Sequence, residues 1–251
     1  MTQGLRDTIR GQASSGLIVW VPALLGWLLL YWGATHMGSP AARLTMPMSD
    51  WSWANWLAVF IMWAVMMAAM MLPTAMPMVS VFTTLNARRG ESVRTAAFVA
   101  GYIALWAAFG AAATAAQWAL QAGGLLSPMI VSLSPALSGA LLVIAGLFQF
   151  TPLKQACLRA CRSPLGFLLT DWRDGLSGAA RMGVRHGLHC LGCCWALMAL
   201  LFVGGAMNLL WIAALTLLVA VEKLAPKGEA LAKALGVLMI GVGAARLIWR
   251  A

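Results

Sequence analysis

Residues 53–72, WANWLAVFIMWAVMMAAMML, run without a single charged side chain. At 1.5 Å per residue such a helix reaches roughly 30 Å, the thickness of a bilayer's hydrocarbon core. Working outward, comparable apolar runs lie near 17–37, 96–120, 134–150, 188–205, 207–224 and 231–249. The expected fold is an all-α polytopic transmembrane helix bundle of about seven spans. The stretch 188–221 is too long for one span, and Gly204, Gly205 and Asn208 supply a turn midway, so a tight hairpin is predicted there. Composition agrees: of 251 residues 62% are hydrophobic and 10% charged, against roughly 45–50% and about 25% in soluble domains. A water-soluble globule is excluded.

The net charge of +10 would suggest nucleic acid in a soluble protein, but its distribution gives another reading. Arg6, Arg10, Arg88, Arg89, Arg94, Lys154, Arg159, Arg162, Arg173, Arg181, Arg185, Lys223, Lys227 and Lys233 fall on one side of the predicted spans. Only Arg43, Arg246 and Arg250 fall on the other. The positive-inside rule then places the N-terminus and the loops around 86–95, 151–187 and 225–230 in the cytoplasm. Trp51, Trp53 and Trp56, with Tyr31 and Trp32, fit an aromatic belt at the outer face. The partner expected from this charge pattern is a lipid bilayer. No nucleic acid is expected, while a membrane protein or a second copy of the chain is a possible partner. The stretch from Leu17 has no small-residue cleavage site after it and reads as an uncleaved first span. Residues 1–251 are read as one membrane domain.

Four groups of residues carry candidate chemistry. Met62, Met66, Met67, Met70, Met71, Met76 and Met78 crowd the second span and the segment just past it, with Met62, Met66 and Met70 on one stripe. Thioether sulfur suits Cu(I), and Pro73 and Pro77 would open the helix beside Met76 and Met78. Methionine is also an ordinary filler of apolar packing. His186, His189, Cys190, Cys193 and Cys194 follow at the start of the fifth span and fall within an arc of about 140° on a helix. Thiolates with imidazoles suit Cu(I) or Zn(II). A turn near Ala206 brings Cys190 level with Glu222, and counting inward from Trp53 puts Met70 roughly 25 Å down. Met66, Met70, Cys190, Cys193 and Glu222 are thus expected in one layer.

In the 151–187 loop, Thr151 and Pro152 start a predicted short helix over 152–162 that sets Cys157 and Cys161 one turn apart. Lys154, Arg159, Arg162 and Arg173 are expected to hold this loop against anionic headgroups. At the outer mouth His36, Met37, Met46, Met48 and Asp50 form a thinner candidate set. No phosphate loop, internal repeat or Ser/His/Asp constellation is present.

The segments Met-Met-Ala-Ala-Met-Met-Leu-Pro at 66–73, Pro-Leu-Lys with the Cys pair at 152–161, His-Cys-Leu-Gly-Cys-Cys-Trp-Ala-Leu-Met at 189–198 and Glu222-Lys223 resemble one family. It is a bacterial family of unknown function described as predicted metal-binding integral membrane proteins. The resemblance covers roughly residues 50–245 and implies a multi-span inner-membrane protein with a metal site. Three functions follow from the residues: soft-metal handling, with copper(I) first and zinc second; thiol–disulfide exchange through Cys190/Cys193 and Cys157/Cys161; and a membrane subunit without chemistry. The Met stripe with His186 and His189 separates the first two, because ligation uses those groups and exchange does not.

Overall fold

A computed structural model describes residues 2–47, 50–87 and 93–249. Met48, Arg88, Arg89 and Arg250 lie outside the described residues, as do the side chains of Arg6 and Arg10. The helices are α1 (Thr2–Thr35), α2 (Pro40–Thr45), α3 (Trp53–Met71), α4 (Met76–Ala87), α5 (Val93–Ala122), α6 (Pro135–Phe148), α7 (Pro152–Arg162), α8 (Pro164–Asp171), α9 (Gly175–Ala199), α10 (Leu201–Gly204), α11 (Leu209–Leu224) and α12 (Gly228–Trp249). Among the described residues the only pairing of β type is an isolated bridge between Leu126 and Ser132.

Each predicted apolar run is helical, with starts set by local caps. Ser52 and Asn55 form a capping box ahead of α3, and the side chains of Ser134, Thr151 and Asn208 cap α6, α7 and α11. These side chains satisfy amide donors that an apolar surrounding would leave unpaired. Five segments are long and apolar enough to cross a membrane: 16–35, 53–86, 93–122, 175–204 and 228–249. A sixth arises if α6 and α7, bent by 65° at a short break, count together. α11, at 16 residues, spans only about 24 Å, so it is shorter than the run 207–224 suggested.

The bundle is built around α9 and α3, with α5 between them. Over its most apolar stretch α9 is 56% buried and α3 50%, against 17% for α1 and 22% for α12. Glycines let the central pair approach closely. A Cβ on Gly101 would collide with the Ala180 carbonyl, and one on Gly183 with the Phe98 carbonyl, so the backbones of α5 and α9 touch at two points. Close small-residue contact is how membrane helices gain packing when lipid is as apolar as the side chains. α6 and α12 repeat the device through Gly139 against Gly243 and Gly146 against Gly236.

Two expectations change. α9 begins at Gly175, so residues 175–187 are its first turns and not loop. Arg181 and Arg185 interrupt the hydropathy there, but both are exposed, Arg185 pairing with Asp171 at 2.7 Å, while Ala179, Met182 and His186 face inward. Lys154 does not reach headgroups; it is buried inside the bundle. The predicted hairpin is present, with Gly205 at φ +91° turning the chain and Asn208 starting α11.

Candidate metal centre

The span containing α3 does not end at Leu72. Pro73 removes an amide donor, the chain passes through a 3-10 turn over Pro73–Ala75, and α4 carries on from Met76. That turn places Thr74, Ala75, Pro77 and Met78 on the wall of a cavity of about 230 Å³. The opposite walls come from Tyr102 of α5, Cys161 and Arg162 of α7, His186 and Cys190 of α9, and Lys223 of α11.

Cys190 is held by two of these groups. Its Sγ lies 2.8 Å from Lys223 Nζ and 3.0 Å from the Tyr102 hydroxyl. The hydroxyl donates to the Met71 carbonyl at 3.2 Å, and Lys223 donates to Thr74 Oγ1 at 3.2 Å. The end of α3, Cys190 and the inner end of α11 therefore share one depth. Cys193 and Cys194 are buried behind Cys190 and donate their thiols back to its carbonyl at 3.1 and 3.0 Å. Cys161, half-buried on α7, lines the same cavity as Cys190. Cys157, one turn earlier, lies over Gly192, where a Cβ would displace its sulfur.

Glu222 faces Lys154 at 2.6 Å, and Lys154 also donates to the Cys193 carbonyl at 3.0 Å. Both side chains are almost wholly buried, and Glu222 Oε1 has no partner. Arg162 donates to the carbonyls of Glu222 and Pro226, each at 3.1 Å, closing the C-terminal end of α11. His186 stacks on Phe98 and Tyr102 and meets Phe167 edge-on; its Nδ1 is buried without a partner. His189 also packs on Phe167 but does not line the cavity.

Of the residues singled out from sequence, His186, Cys190 and Cys161 line the cavity, while Cys193, Cys194 and Glu222 stand directly behind it. Met66 and Met70 are fully buried in the core and do not line the cavity; Met78 does. His36 is exposed, stacks on Trp32 and bonds to its carbonyl. Sequence reasoning missed Tyr102, Thr74 and the roles of Lys154 and Lys223. Tyr102 carried a usable signal, being a hydroxyl inside an apolar span.

The model of the PpoB2 family, described as a copper chaperone, matches residues 60–246. The chain belongs to this family. The match includes every residue of the centre described above, and it gives the protein a role in copper handling. No curated protein and no solved structure matches. The donors at the cavity are of the kind that suits a soft metal such as copper: thiols from α7 and α9, a thioether from Met78 and an imidazole nitrogen with no competing partner. Among the described residues no group of three or more His, Cys, Asp and Glu side chains is gathered to enclose an ion on its own.

Proposed function

We propose that the chain binds Cu(I) inside a membrane at the thiol cavity and passes it on by ligand exchange. Cys190 and Cys161 are the primary thiolates, Cys193 is the neighbour that can replace either, and His186 supplies an imidazole. Cys194, His189, Cys157, Glu222, Met66 and Met70 form the surrounding set. Exchange between thiolates leaves the metal's oxidation state unchanged, so no electron donor is required. The observation that carries this reading is that Cys161 from α7 and Cys190 from α9 line the same cavity, with Cys193 buried behind them and the Lys223 ammonium beside Cys190. Thiolate charge buried in a bilayer needs such a cation or a metal to offset its desolvation. Zinc is the second candidate ion. The cationic loops support a reading in which this end of the bundle faces the cytoplasm across an inner membrane, with a membrane protein or another copy as the receiving partner.

Elemental analysis of protein purified without added metal and then loaded with Cu(I) tests the reading. Cys190→Ser with Cys193→Ser should abolish stoichiometric copper; full copper content in that variant would sink it.

Thiol–disulfide exchange is the second reading, favoured by the same placement of Cys161 and Cys190 on one cavity wall. All five cysteines are free thiols in this structure.

A further inference from the structure

Resting on the reading of the cavity as a copper site, we propose that Lys223 sets the valence of the ion it accepts, favouring a monovalent soft cation over a divalent one. Among the described residues the cavity is lined by two cationic side chains, Lys223 and Arg162, and by no carboxylate. The nearest acid, Glu222, is already paired with Lys154 at 2.6 Å, so those charges cancel. Arg162 is engaged on carbonyls at the rim. Lys223 is therefore the fixed positive charge at the thiols that no carboxylate balances, buried and 2.8 Å from Cys190 Sγ.

An ion bound to that sulfur at the usual metal–thiolate distance of about 2.3 Å lies within about 5 Å of the ammonium. At that range, away from bulk water, Coulomb repulsion is strong, and it is twice as large for a doubly charged ion as for a singly charged one. The difference does not depend on how many thiolates bind, because they act on both ions with Lys223 present or absent. Soft sulfur alone accepts both Cu(I) and Zn(II); the lysine supplies the discrimination that the donors lack.

The test uses the full chain in detergent and measures Cu(I) and Zn(II) affinities by competition with chelators, with Co(II) thiolate absorbance as an independent readout of the divalent ion. Lys223→Met and Lys223→Gln should raise the Zn(II)-to-Cu(I) affinity ratio by about tenfold or more, and Lys223→Arg should keep the wild-type ratio. Should the neutral variants fail to fold, Thr74→Glu, which sets a carboxylate beside the ammonium, should shift the ratio the same way. An unchanged ratio in folded neutral variants, or an equal shift in Lys223→Arg, overturns the inference. Failure of the wild type to bind Cu(I) at all would instead remove the reading on which it rests.

Discussion

Lys154 and Glu222 stand 68 positions apart in the chain and form a 2.6 Å ion pair from which solvent is almost excluded. The pair pins α7 to α11 and, through the Lys154 bond to the Cys193 carbonyl, both to α9. Breaking it from one side leaves an uncompensated buried charge. Lys154→Met should lower stability by about 3–5 kcal/mol, whereas Lys154→Met combined with Glu222→Leu should recover most of that loss. Unfolding of the two variants in detergent checks this, and equal losses in both would show that the pair does not act as a unit.

The contact between α5 and α9 makes a sharper packing prediction. Gly183→Ala pushes a methyl into the Phe98 carbonyl, and helix backbones give way less easily than side chains. A loss of about 1–3 kcal/mol is expected, with a lower yield of folded protein. Gly241 on α12 has open space where its Cβ would stand, so Gly241→Ala should be neutral or stabilising by less than about 1 kcal/mol. Thermal unfolding of both variants separates close approach from a general intolerance of substitution at glycine.

Much of this architecture is legible in the residues. Apolar runs predict the helices, Thr151-Pro152 predicts the start of α7, and Gly204, Gly205 and Asn208 predict the hairpin that sets Cys190 level with the Glu222-Lys223 pair. Hydropathy fails where a charge is buried by pairing. Lys154 reads as a headgroup contact until Glu222 is seen across from it, and Arg181 and Arg185 hide the first turns of α9 although both lie on its exposed face. Neighbour relations between helices are not written in any one segment, which is why Tyr102 enters only with the structure, and why Met78 and not Met70 reaches the cavity wall.

His186 divides metal binding from thiol exchange. It sits among Phe98, Tyr102 and Phe167 with a free Nδ1, so His186→Phe keeps the aromatic packing and removes the nitrogen. Cu(I) affinity should fall about tenfold or more, while the rate at which the thiols react with a small disulfide should change little. The opposite pattern would favour the oxidoreductase reading.

Two methionines mark how far the donor set extends. Met78→Leu and Met70→Leu are nearly volume-conserving and should each cost less than about 1.5 kcal/mol in stability. Cu(I) affinity should fall more for Met78→Leu, because only Met78 lines the cavity. An equal or larger loss at Met70 would carry the site into the α3 core.

Orientation is tested by surface labelling. Leu169 on α8 is 84% exposed, and Gly38 lies in an open turn near the opposite face. In intact cells an impermeant thiol reagent should modify Gly38→Cys and spare Leu169→Cys; the reverse pattern would invert the topology.

The cavity wall draws on residues from Thr74 to Leu224, in seven separate helices or turns. During synthesis Cys161, Cys190 and Cys193 enter the membrane well before Lys223, and for that interval the growing chain offers scattered thiols without the enclosing wall or its counter-charge. The pocket closes only when α11 has folded back along α9. Under the proposed reading, copper capture is thereby tied to completion of the fold: a truncated or half-inserted chain would present no finished site, and a chain that comes apart would give up its metal as its helices part.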